Sequence, residues 1–250
     1  MNAARRRTAG PGRLGSRLAN VAAALGCVLF LGGFVLVAIL YQPYTVPTDS
    51  MAPTVRAGDR VLAHRIDGSE VRRGDIVVFR EETWGGLPMI KRVVGVGGDS
   101  VACCDDDGLL MVNGEPVPER YLGRDRPASP SGFETEVPAG ELFLLGDRRL
   151  DSLDSRTRLT EGDSGSVPQG SVTARVEATV WPLDSLGLMP RPSGFARLPG
   201  GVSEPGPLRE LFYATAAGAV LILGGAAYGP IARRAARKPP PVTHNEGTRG

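Results

Sequence analysis

Two uncharged stretches stand apart from everything between them. Residues 21–40 read VAAALGCVLFLGGFVLVAIL, twenty positions without a charge. At ~1.5 Å of rise per residue, a helix of that length crosses a hydrocarbon core of about 30 Å. The run exceeds the ~7–15-residue apolar core of a secretory signal, and no A-x-A cleavage site follows it in YQPYTVPTDS, so the pattern predicts an uncleaved anchor. Residues 211–232 read LFYATAAGAVLILGGAAYGPIA, also uncharged and richer in Gly and Ala, the small residues that let helices approach closely in lipid. This predicts a second span. The pattern between the runs is different. Short segments rich in Val, Ile and Leu (DRVLAHRI, DIVVFR, MIKRVVGV, LLMVNGEPV, ELFLLGD, SVTARVEATVWPL) alternate with Gly, Asp and Pro, and none sustains a helical apolar period for four turns. The DG at 107–108 and NG at 113–114 are turn dipeptides. These features predict a mainly β domain of antiparallel strands in bent sheets or a partly open barrel. Residues 123–138 and 158–170 read as surface loops, and the Gly/Pro-rich residues 193–207 as a linker to the second span.

Charge sharpens this layout. The 29 basic and 27 acidic residues nearly cancel, but ten basic residues and one acid lie in residues 1–41 and 231–250, leaving the middle net negative by seven. Arg5, Arg6, Arg7, Arg13 and Arg17 precede the first run; Arg233, Arg234, Arg237 and Lys238 follow the second. Positive flanks stay in the cytoplasm. The reading is therefore a cytoplasmic N-terminus (1–19), a transmembrane helix (20–41), an extracytoplasmic domain (42–207), a second transmembrane helix (208–232) and a cytoplasmic disordered tail (233–250), in a multi-pass protein of the cell membrane. Tyr41, Tyr44, Tyr213 and Tyr228 fall near the span ends, where aromatic rings favour the interface. An acidic folded centre does not suggest nucleic-acid binding.

Three segments of the middle carry candidate chemistry. Ser50, in TVPTDSMAPTVRAGD, lies ten residues past the first run, tethered close to the membrane surface. Most serines in such settings are turn or cap residues. Lys91 interrupts an Ile/Val strand, where alternation places it with Val93 on one face and Ile90 with Arg92 on the other. A solvated lysine is the commoner case. A buried one loses its charge readily and then serves as a general base, the Ser/Lys variant of activated-serine chemistry. The segment GDRRLDSLDSR (146–156) is either a charged surface turn or a buried network pairing Asp147 or Asp154 with an arginine such as Arg156. A Ser-His-Asp triad has only His64 to draw on, because His244 lies in the tail. Cys27 sits in the first run, and adjacent Cys103 and Cys104 lack zinc spacing, reading as free or intermolecularly paired thiols more than as a disulfide with each other. The acids at 105–107 lack EF-hand spacing.

Taken together, the segments resemble bacterial type I signal peptidases, membrane-anchored Ser/Lys proteases. The resemblance covers most of residues 20–185 and rests on four ordered blocks: SMAPTVRAGD (50–59), RRGDIVVFR (72–80), IKRVVGVGGD (90–99) and GDRRLDSLDSR (146–156). The second span resembles an addition in some members from high-GC Gram-positive bacteria. It implies an antiparallel two-sheet fold and removal of signal peptides from exported preproteins with small residues at the first and third positions before the cut. It implies Ser50 as nucleophile, Lys91 as general base, Ser152 orienting the lysine amine, Thr48 with the Ser50 amide as oxyanion donors, and Asp147, Arg149, Asp154 and Arg156 as structural members of the site. No metal or organic cofactor is implied, and oligomeric state is not legible. Departures are Arg148, where Asn is usual, and Val96-Gly97, where Leu-Pro is common. A self-cleaving repressor, also a Ser/Lys peptidase, would be soluble and carry a DNA-binding segment, against the two apolar runs. A membrane-anchored scaffold with an inactive protease-like domain is the rival from another class, separated by a cleavage assay.

Overall fold

In a computed structural model, residues 11–123, 127–160 and 164–236 are described. The chain divides into two compact units, one built on the two long helices and one spanning Ala38–Gly206.

The helical unit contains α1 (Pro11–Leu40) and α2 (Leu208–Ala236). Their apolar parts, Arg17–Leu40 and Leu208–Tyr228, are 24 and 21 residues long, enough for two candidate membrane spans. The helices pack through small residues at seven-residue spacing. Gly26 faces Gly218 and Ile222, Gly33 faces Thr215 and Leu211, and Gly225 faces Ala19 and Ala23. A methyl group on Gly26 would lie within 2.9 Å of the partner backbone, so only glycine permits this approach.

The other unit is built from antiparallel sheets, as the patterning predicts. The strands are β1 (Tyr41–Thr45), β2 (Arg60–Arg65), β3 (Ile76–Phe79), β4 (Met89–Val96), β5 (Ser100–Cys103), β6 (Leu110–Val112), β7 (Glu115–Val117), β8 (Phe133–Glu136), β9 (Glu141–Leu145), β10 (Val167–Pro168), β11 (Val172–Trp181) and β12 (Gly187–Leu188). The larger sheet runs β1-β2-β11-β3-β4-β9-β10, with β12 on β11; the smaller runs β7-β6-β5-β8. Asn113 and Gly114, with φ of 54° and 78°, turn β6 into β7, the conformation that an Asn-Gly hairpin favours. A core shared by both sheets includes Val94, Phe143 and Leu145 from the larger and Val101, Leu110 and Val112 from the smaller, all fully buried. A second core packs Val46, Met51 and Val55 against Val61, Ile76 and Val176. The turn between β1 and β2 is thus fixed by its own apolar side chains.

Three local expectations change. The segment read as a surface loop over 123–138 contains β8, whose Phe133 ring stacks on Phe143 at 5.6 Å. The other loop, 158–170, contains β10; residues 124–126 and 161–163 lie outside the description, as do the basic residues 5–7 and the tail from 237 onward. The segment read as a linker is part of the β unit. Phe195 is fully buried, Pro199 O accepts from Arg73 Nη1 at 2.6 Å, and Ser203 Oγ donates to Asp75 at 2.6 Å. Its Gly and Pro content reflects tight turns rather than freedom. The structure also joins Cys103 to Cys104 in a disulfide, against the reading of free or intermolecular thiols.

Candidate active site

Ser50 lies on a single helical turn, Asp49–Met51, immediately after β1. The turn is held from both sides. Asp49 Oδ1 accepts from Ala57 N–H at 2.9 Å, Asp59 Oδ2 accepts from Arg56 N–H at 2.9 Å, and Val46 and Asp59 bond through their backbones. Met51 and Val55 are buried below, so the Ser50 hydroxyl is presented outward at the edge of the core.

Lys91 comes from β4, where it pairs with Val77 on β3. It is 5% exposed, beside fully buried Val77 and Val93. Its Nζ lies 2.8 Å from Ser50 Oγ, bringing together two residues 41 positions apart. Burial drives the Lys91 pKa below its ordinary value; Asp154 and Asp147 oppose that shift, and Arg156 adds to it. On the other side of Ser50, Thr48 Oγ1 is 3.3 Å from Ser50 Oγ.

The 146–156 segment forms the buried network that was one of its two readings. Asp147 accepts both arms of Arg92, at 2.8 and 2.6 Å, and the Thr54 hydroxyl at 2.5 Å. Asp154 accepts from Arg156 and, at 2.9 Å, from Gly146 N–H. Arg149 donates to Gly146 O at 3.1 Å and pairs with Glu119. Gly146 is therefore held at both its N–H and its C=O. Glycine is required there because a Cβ would run into Ser152 and the Ser50 carbonyl. Ser152 is buried beside this glycine, but its Oγ has no hydrogen-bond partner among the described residues, so the bond from Ser152 to the lysine amine implied by the resemblance is not made here. Arg148 donates its backbone N–H to Ser50 O at 3.0 Å while its half-exposed side chain pairs with Asp151 at 2.8 Å.

Ser50 and Lys91 open on a groove of about 740 Å³. Residues 44–51 and 87–91 line it together with Val78, Arg148, Asp151 and Leu153. His64 is absent from this lining. It stands on β2 with its ring stacked on Tyr41 at 4.9 Å, which removes support for a histidine triad. Sequence reasoning missed Arg92 as the partner of Asp147, although it adjoins Lys91. It also missed Glu119 and Tyr121, which carry no spacing signal in PERYL.

A β-sheet protein with a serine hydroxyl against a buried lysine amine, at the floor of a groove, falls in the class of serine hydrolases. The family model described as signal peptidase, peptidase S26 matches residues 18–181. Similar proteins include a probable signal peptidase I of Mycobacterium leprae, 30% identical over 207 residues covering 60% of this chain and 71% of that one. A signal peptidase I of Mycobacterium tuberculosis is 31% identical over 221 residues, covering 68% and 74%. Signal peptidase I U of Bacillus subtilis is 36% identical over 132 residues, covering 49% and 69%. A solved signal peptidase I from Enterococcus faecalis V583 is 30% identical, with a TM-score of 0.35, covering 42% of this chain and 94% of the other. The chain belongs to the signal peptidase family, peptidase S26, and with it to the serine-protease hydrolases that act on preproteins.

Proposed function

We propose that this protein removes signal peptides through acyl transfer to Ser50, with the Lys91 amine as general base. The observation that carries the reading is the 2.8 Å contact between Lys91 Nζ and Ser50 Oγ at a lysine that is 5% exposed. A discharged amine has a lone pair to receive the Ser50 proton. The hydroxyl oxygen then attacks the scissile carbonyl carbon. The Ser50 N–H and the Thr48 hydroxyl stabilise the oxyanion that forms. As the C–N bond breaks, the Lys91 ammonium returns its proton to the leaving amine. Lys91 next deprotonates a water that releases the acyl group and restores Ser50. Ser152, buried next to Gly146 with a rotatable hydroxyl, is assigned to orient the amine. Asp147, Arg149, Asp154 and Arg156 hold the turn that carries it.

The substrate chain is proposed to lie extended in the groove, pairing its backbone with the segments on either side while alternate side chains enter pockets. Small side chains are expected at the first and third positions before the cut. The family is membrane-associated, and α1 and α2 fit two spans. Arg13 and Arg17 in the first part of α1, and Arg233 and Arg234 in the last part of α2, support cytoplasmic termini with the β domain outside. In a preprotein cleavage assay on full-length protein in detergent, Ser50→Ala and Lys91→Ala are each expected to abolish turnover while leaving the circular dichroism spectrum unchanged. Cleavage near the wild-type rate by either variant defeats the dyad.

A further inference from the structure

We propose that Glu119 and Tyr121 are positioning residues for the Ser50–Lys91 pair, joining the strand that carries Lys91 to the turn that carries Ser152. This rests on the dyad reading above and extends the site beyond the four sequence blocks, which contain neither residue.

The linkage is continuous. Glu119, 7% exposed, grips Arg149 with both oxygens, at 2.5 and 2.6 Å. Arg149 holds Gly146 O, and Gly146 lies against Ser152 and the Ser50 carbonyl. Glu119 Oε1 also accepts the Tyr121 hydroxyl. The Tyr121 ring lies under the Arg92 guanidinium, 3.8 Å from its carbon to the ring centroid. Arg92 is the strand neighbour of Lys91, and it also donates to Asp147 and to Gly74 O. The carboxylate and the ring thereby close a loop between the two elements that meet at Ser50. An arginine gripped along its edge by a carboxylate and stacked by its face on a ring is restrained from swinging, and a misplacement of ~1 Å at a reacting pair costs about 10²-fold in rate.

Charge gives this arrangement a second consequence. Three arginines, Arg92, Arg149 and Arg156, are paired with three carboxylates, Asp147, Glu119 and Asp154, all of them buried except the half-buried Arg156. The groups acting most directly on the Lys91 amine are Asp154, Asp147 and Arg156. Glu119 faces Arg149 and Tyr121, with Arg92 across the ring. Taken alone, the three ion pairs sum to zero charge, and burial, not their net charge, holds the Lys91 amine below its ordinary pKa. Glu119→Gln keeps the side-chain shape and leaves the cluster with an unmatched positive charge, which disfavours the Lys91 ammonium.

The test is the pH profile of preprotein cleavage by the full chain in detergent. For Glu119→Gln, kcat is expected to fall by about 10²-fold with KM within twofold, and the acid limb of kcat to move to lower pH. A purely structural role lowers the folded fraction without moving that limb, because the position of a titration does not depend on enzyme concentration. Tyr121→Leu removes the ring and no charge, and is expected to lower kcat with the limb unmoved; it carries the test if Glu119→Gln fails to fold. A folded Glu119→Gln with unchanged kcat or an unmoved limb overturns the proposal. So does Tyr121→Leu at wild-type kcat, or with its loss confined to KM. Either result leaves the Ser50 and Lys91 assignments standing, since those are tested on their own variants.

Discussion

At the scale of single residues, Lys91 gives the clearest conflict between stability and chemistry. Its pKa in the folded protein lies below the ordinary 10.5 because burial disfavours the ammonium. Between the lowered value and 10.5, the unfolded chain binds a proton that the native state does not. Stability therefore rises with pH across that window, and the cost of burying the amine is largest below it. Lys91→Met keeps the volume and removes the cost, so its thermal midpoint at pH 7 is expected to exceed that of wild type while cleavage is lost. Under the dyad proposed above, kcat is expected to rise with pH as the ammonium discharges, along a limb below that of a free lysine, read from the pH profile of cleavage. Thr48 makes a separate point. If its hydroxyl supports the oxyanion, Thr48→Val is expected to cost ~10²–10³ in kcat and Thr48→Ser little, read from the same assay. The proximity of Ser50 and Lys91 was legible only through the ordered blocks that carry them, and that of Thr48 through its place two positions before Ser50. Glu119 and Tyr121 were not, because a buried carboxylate and a solvated one look alike in a sequence until a guanidinium is folded against them.

At the scale of elements, the strands were legible from their alternation and their Gly, Asp and Pro boundaries, and Lys91 shares its side of β4 with Val93 as the period of two requires. The 146–156 turn is the element on which the site hangs. Asp147 accepts from Arg92 and Thr54, so Asp147→Ala strands a fully buried guanidinium. Loss of about 3–5 kcal/mol is expected by denaturant titration, the range seen when one partner of a buried ion pair is removed. Residues 193–206 show where composition misleads. Gly and Pro punctuate a flexible linker and a tightly folded strap in the same way, and what separates them is Phe195, inserted among Val94, Val117 and Leu145. Phe195→Ala is expected to cost about 3–5 kcal/mol, which a free linker would not show. The short strands β8 and β10 were hidden for a related reason: two to four residues carry too little period to stand out from a loop.

At the scale of the whole molecule, the two units were legible as a change of period, from uncharged runs of helical length to short alternating segments. The pairing of α1 with α2 was only partly so. Glycine content announced close approach, but the register had to come from the structure, with residues 19, 26 and 33 set against 225, 218 and 211. Replacing Gly26 by Leu is expected to separate the helices. Disulfide trapping between cysteines placed at 30 and 218 would then fall well below the level seen with Gly26 intact, where Phe30 and Gly218 are backbone neighbours.

The six interlocked ions also constrain how such a protein can drift. An acid at 119 cannot be discarded while its guanidinium at 149 stays, because the orphan would sit in a dry interior with nowhere to shed its charge. The same bond ties 92 to 147 and 156 to 154. Descendants of this chain should inherit these positions as couples, kept together or exchanged together for neutral side chains.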